Sequence, residues 1–109
     1  MPKIIALITK QDELSREEFL HHWQVDHPPI VWALPGLRRY VQNPAIPHRT
    51  EWPYDGAAEL WFESLRDIAV AFDSPQAKPM HEHEKKFIKD IAWFVADEHE
   101  TTASKEHDA

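Results

Sequence analysis

The sequence has no cysteine, only two glycines among its 109 residues, and no long apolar run. Without cysteine there is no disulfide, no thiol nucleophile and no thiolate ligand for zinc. That usage fits a cytoplasmic protein. Both glycines stand at turns, Pro35-Gly36 and Asp55-Gly56, so no glycine-rich loop exists to cradle phosphate, and dinucleotide binding is not expected. No G-x-S-x-G nucleophile motif occurs. A membrane-crossing helix needs about 20 apolar residues. None is present, and a strand-like segment directly follows Met1-Pro2, so neither a membrane span nor a signal peptide is expected.

Basic residues are also scarce. Lysine and arginine total 12 against 19 acidic residues, for a net charge of -7. From Asp97 onward five acidic residues face one lysine, which leaves a body of about -3. Sequence-independent nucleic-acid binding needs a basic surface, so no nucleic-acid partner is expected. The length suits one domain with one core, assigned to residues 1–99. Residues 100–109 form an acidic tail without periodicity, expected to be disordered.

What the chain does contain reads in order as strands and helices. KIIALITK (3–10) is a short apolar run typical of a central strand. Ser15 with Glu18 makes a capping box, and Phe19, Trp23, Asp26 and Ile30 follow at helical spacing. Pro28-Pro29 predicts a kink at His27, because a proline disfavours the α region for its predecessor. A second helical piece should end near Leu34, with a turn at Pro35-Gly36 and a strand over 37–43. Prolines 44, 47 and 53 mark 44–55 as a surface or lid-like loop. GAAELWFE (56–63) is a third strand, and Ser64 with Asp67 caps a helix. Ser74-Pro75 should end that helix and cap the next, which carries Met80, Glu84, Phe87 and Ile91. IAWFVAD (91–97) closes the chain as a fourth strand. The order β-α-β-β-α-β predicts an α+β, ferredoxin-like fold with a four-stranded antiparallel sheet. Strands 1, 3 and 4 are apolar in consecutive positions, which asks for cover on both faces. A second copy of the same sheet supplies it most simply, so a homodimer is expected.

The spaced motifs REEF…HW…DHPP…LPGLRRYVQN, then YDGAAELWFES, then Ser74-Pro75…Glu84…Phe87-Ile88, resemble the EthD family (ethyl tert-butyl ether degradation) of the dimeric α+β barrel superfamily. The resemblance spans roughly residues 3–96. It implies two sheets paired back to back and a pocket between sheet and helices in each subunit. Some relatives isomerise, cyclise or dehydrate lactones and polyketide-like aromatics without a cofactor; others are accessory proteins of catabolic systems. In lactone-isomerising relatives the histidine before the turn and the tyrosine after it transfer protons, which falls here on His27 and Tyr40. Two positions depart from the pattern. Pro44 follows Asn43 where relatives often carry histidine, and His83 stands where aspartate is common.

The residues themselves point the same way. An imidazole at position 27 can titrate near neutral pH and pass a proton either way; its plain alternative is a core histidine bonded to a carbonyl left free by the prolines. Tyr40, assisted by Arg38 or Arg39, can stabilise a developing oxyanion, or it simply packs with its hydroxyl at a rim. Trp23, Trp61 and Phe94 are expected to wall the pocket, and His83 to touch the pocket or the interface. Glu59 should pair with Arg38 or Arg39 as a structural ion pair. His21-His22 and His81-x-His83 have the wrong helical spacing to chelate, so no metal is expected, and His22 and His81 should face solvent. Two readings follow. One is a cofactor-independent proton-transfer enzyme for a small apolar lactone, aromatic or polyketide-like carbonyl compound. The other is a non-catalytic dimer that binds a hydrophobic metabolite or assists an oxygenase-type degradation system.

Overall fold

A computed structural model describes residues 1–103. Most of the expected tail lies outside them. Four strands, β1 (Pro2–Lys10), β2 (Arg39–Pro44), β3 (Gly56–Trp61) and β4 (Ile88–Asp97), form one sheet in the order β2-β3-β1-β4. Every neighbouring pair is antiparallel, which completes the ferredoxin-like α+β fold. Residue alternation sorts the two faces. Ile4, Ala6, Ile8, Ala58 and Leu60 point to the helices and join Phe19, Trp23, Val31, Met80 and Phe87 in the core. Lys3, Ile5, Leu7, Glu59, Trp61 and Phe94 share the outer face by register. Among the described residues, no helix is long and apolar enough to cross a membrane.

The capping box forms as expected at the start of α1 (Arg16–His21): Ser15 Oγ accepts from Glu18 N, and Glu18 Oε1 accepts from Ser15 N. His27 does not leave the α region as predicted. Residues His22–Asp26 instead make a π-helical turn, and α2 (His27–Trp32) continues with His27 still in the right-handed helical region. The His27 N–H reaches back five residues to the His22 carbonyl. The wider turn makes room for two proline rings that a regular α-helix would set against its preceding carbonyls. Pro28 and Pro29 then occupy the first turn of α2, where a missing N–H is tolerated. The π turn also brings residues four to five apart onto one side, so Trp23 and His27 both face inward, 1% and 3% exposed.

Further along, α3 (Leu65–Asp73) starts on its Ser64 cap. Ser74 ends that helix but does not cap the next: its hydroxyl donates back to the Ala71 carbonyl at 2.5 Å. The following helix, α4 (Ala77–Phe87), begins three residues later without a side-chain cap. It runs straight into β4, which starts at Ile88 and not at Ile91. Gln11 secures that junction, its side-chain amide donating to the carbonyls of Lys85 and Ile88. Within one chain β4 is open on both faces, since Ile91 and Trp93 on one side and Phe94 on the other are exposed.

Glu59 pairs with Lys3 at 2.9 Å, not with Arg38 or Arg39. Lys3 faces Trp61 across the β1–β3 ladder, so its ammonium reaches the neighbouring outward carboxylate without leaving the sheet. Arg39 lies over the Trp61 ring at 4.3 Å, and Arg38 turns out to Glu63 at 3.5 Å.

Candidate active site

Between the sheet and the helices lies a cavity of about 440 Å³. Sheet residues Ile4, Ala6, Ile8 and Leu60 floor it, and Trp23, Val31, Phe72 and Met80 wall it. Its polar groups come from His27, Tyr40, His81 and Glu84. Gly56 helps set its shape. A Cβ there would stand 2.6 Å from the outer edge of the Trp23 ring, so only glycine lets that indole lie against β3.

His27 is held by packing and by one polar contact. Phe87 meets its ring edge-on at 5.0 Å, and the His83 ring stacks on it at 5.0 Å. The two Nδ1 atoms are 2.8 Å apart, which requires one proton between them. Burial, with some help from His83, pulls the His27 imidazolium down to about pKa 4, so the ring is neutral at pH 7. Burial, then His22 and Lys86, also lower the His83 imidazolium, with the Asp26 carboxylate working the other way, and that ring lies closer to solvent.

Tyr40 points into the cavity from β2, opposite Leu60. Its hydroxyl oxygen accepts from Gln42 Nε2 at 2.8 Å, while the same amide donates to the Trp23 carbonyl at 2.7 Å. Both amide protons are thereby spent, and the phenolic proton stays available for a ligand. Burial pushes the Tyr40 hydroxyl up to about 12, so it serves as a neutral donor. The assistance expected from Arg38 or Arg39 does not reach it, because Arg39 is on the other sheet face and Arg38 is engaged outside.

Of the residues singled out in the sequence, the cavity gathers Trp23, His27 and Tyr40, with His83 directly behind His27. Arg38, Arg39, Trp61 and Phe94 lie elsewhere. Strand alternation puts Arg39, Trp61 and Phe94 on the outer face, and Trp93 takes the wall position assigned to Phe94. His22 does not simply face solvent: it lies flat on Phe87 at 6.0 Å. His81 is exposed but donates toward the cavity carboxyl Glu84 at 3.0 Å. Glu84 was missed as a site residue, although its place between Met80 and Phe87 in an apolar stripe was the signal. Burial raises its pKa, only partly offset by His81. Gln42 left no comparable signal.

Outside the cavity, His22, Asp26 and His83 bring one ligand-type atom each within 4.8 Å of one another. The group joins two helical segments, so spacing along one helix does not bear on it. Among the described residues His22 Nδ1 has no hydrogen-bond partner, and Asp26 Oδ2 is 3.7 Å away. These separations exceed those of a closed ligand set, one His83 nitrogen is spent on His27, and we assign no ion to the group.

A family model described as the EthD domain matches residues 11–91, most of the chain. The chain belongs to the EthD family. It is 30% identical over 106 residues to a 4-carboxymethyl-4-methylbutenolide mutase of Pseudomonas reinekei, covering 90% of this chain and 98% of that one. An EthD family protein from Bacillus halodurans superposes with a TM-score of 0.77 at 23% identity, over 91% of this chain and 99% of its own. A dimeric ferredoxin-like protein of unknown function from Bacteroides fragilis gives 0.68 at 17% identity, over 88% and 94%. The last two likenesses show the fold.

Proposed function

We propose that this EthD protein is a cofactor-independent isomerase or lyase that shifts protons in a small, mostly apolar lactone, aromatic or polyketide-like carbonyl compound. The observation that carries the reading is the 2.8 Å contact between the Nδ1 atoms of His27 and His83, set in the wall of an apolar cavity with the Tyr40 hydroxyl. A buried imidazole that ends near pKa 4 would be a poor base if it had to hold a full positive charge. The pair removes that burden. His27 Nε2 takes a proton from the substrate carbon while the Nδ1 proton passes to His83, so the charge comes to rest on the ring nearer solvent and Asp26. The reverse transfer returns the proton to a second carbon, which completes an isomerisation. Tyr40, neutral and a donor, hydrogen-bonds the enolate oxygen as it develops. The mutase relative acts, by its name, on a 4-carboxymethyl-4-methylbutenolide, an unsaturated ring lactone that also carries a carboxyl group.

Homodimerisation is part of the same proposal. The outer face shows Ile5, Leu7 and Phe94 along β1 and β4, and the Bacteroides fragilis neighbour is described as dimeric. The test is exchange of carbon-bound hydrogen in D2O, followed by NMR over a panel of butenolides and aromatic ketones. Wild-type protein should exchange at least one of them. His27→Ala and Tyr40→Phe should retain binding and lose exchange by about 10²-fold or more. Binding with no exchange in wild type would replace the enzyme by the non-catalytic metabolite binder.

A further inference from the structure

Ala69, His81, Ile91 and Trp93 line the cavity and are exposed, so its mouth opens between α3, α4 and β4. Trp23 and His27 are buried within it, and burial keeps the His27 ring neutral. Among the described residues, neither lysine nor arginine lines the cavity. The lining side chain left to carry a positive charge in contact with water is His81, 54% exposed. Its Nδ1 lies 3.0 Å from Glu84 Oε1, and its ring leans on Phe72 at 6.0 Å. Its Nε2 makes no hydrogen bond among the described residues. The His81–Glu84 pair has one protonation state that suits an anion. With one proton beyond a neutral ring and a carboxylate, Nε2 carries a hydrogen whether the extra proton sits on the ring or on Glu84. In either arrangement the negative charge of Glu84 is cancelled. Burial raises the Glu84 carboxyl, which helps the pair keep that proton.

We propose that the His81–Glu84 pair at the mouth receives a carboxylate substituent of the substrate while the ring lies on the apolar floor. The inference rests on the proposed function for the ring and its reaction, and adds the group that orients them. His81 Nε2–H donates to the carboxylate. Glu84 is a positioning residue that acts through His81 and helps it hold the proton. A charged end kept at the mouth stays partly hydrated, which avoids the cost of burying it among Ile4, Leu60 and Met80. The pair takes up a proton as a carboxylate binds, so the preference is lost as pH rises. Across the cavity Tyr40 of β2 and His27 of α2 are neutral at pH 7, and Phe72 of α3 and Trp93 of β4 carry no charge. Lys78 and Lys85 stand one turn to either side on α4 and keep their charge throughout.

Coumarin-3-carboxylate and coumarin-3-carboxamide make a suitable probe pair: bicyclic lactones of nearly the same shape, one anionic and one neutral at pH 6. Isothermal titration calorimetry at pH 6.0 should show the carboxylate binding wild type about fivefold or more tighter than the carboxamide. The ratio should fall toward one by pH 8.5. His81→Gln, a change at an exposed site, should bring the ratio at pH 6.0 to about one and leave carboxamide binding intact. Glu84→Gln should lower the pH at which the ratio falls by about half a unit or more, a midpoint that a merely structural role would not move. A carboxylate that binds wild type no tighter than the carboxamide overturns the inference and leaves the proton-transfer reading standing. Failure of both probes while a compound of the exchange panel binds does the same. An unchanged ratio in His81→Gln also overturns the inference, and an unmoved midpoint in Glu84→Gln overturns the role of Glu84. Failure of both probes and of every compound of the panel to bind wild type overturns the proposed function itself, and the inference falls with it.

Discussion

Lowering the pH should unfold this protein earlier than its carboxylates alone would, and His27 is the reason. The imidazole ordinarily titrates at 6.5 and is pulled to about 4 in the fold. Between those values the unfolded chain holds a proton on residue 27 that the folded chain refuses. Stability therefore rises with pH across this window and is lost as pH falls from about 6.5 toward 4. With about 1.4 kcal/mol per pH unit, the shift amounts to about 3 kcal/mol, a large part of a small domain's stability. Glu84 works in the opposite sense, because a raised carboxyl favours the fold at lower pH and so offsets part of the loss. The assay is urea denaturation at pH 7.0, 6.0, 5.0 and 4.0 for wild type and His27→Gln. The glutamine variant should start less stable at pH 7, having lost packing and the His83 contact. It should then lose about 3 kcal/mol less than wild type on the way to pH 4. Parallel curves for the two proteins would refute the account of His27 as a buried neutral ring.

Three further perturbations have defined outcomes. Gly56→Ala should force Trp23 off β3 and cost about 1 to 3 kcal/mol in urea denaturation, with a shift in tryptophan fluorescence. Ser15→Ala removes one half of the capping box and should cost about 1 kcal/mol, read as a lowered denaturation midpoint with an unchanged slope. Phe94→Asp places a charge in the exposed outer face of β4, and light scattering should show a shift from dimer toward monomer with the far-UV spectrum preserved.

The sheet was legible because strand and helix periods alternate cleanly and because Ser15, Ser64 and Pro35-Gly36 punctuate the chain with residues that have one local use. Helix ends were less so. The apolar spacing of Met80, Glu84, Phe87 and Ile91 runs four residues past the true end of α4. Only the turn of the backbone at Ile88 shows where the strand takes over. The site was half legible. Trp23 and His27 belong to one local stripe, and Tyr40 is two residues from Gln42 on one strand face. The assignment of Arg39, Trp61 and Phe94 failed because a strand that is apolar on both sides does not declare which side meets the helices. One step of register decides it. The His27–His83 contact joins residues 56 positions apart and no local pattern could announce it.

The π turn at His22–Asp26 makes the length of this segment matter more than its composition. Gln24 and Val25 are exposed, so substitutions at either should be silent. Removing either residue is another matter. It would exchange the π turn for a regular α turn, with the His27 N–H closing on a carbonyl four residues back where it now reaches five, and leave everything beyond at much the same angle to α1. The imidazole at the end of the segment would keep its direction, but the rings of Pro28 and Pro29 would press on the carbonyls that the wide turn now clears. The one extra residue in the turn thus serves the two prolines that follow His27, and it does so with no side chain of its own in the cavity.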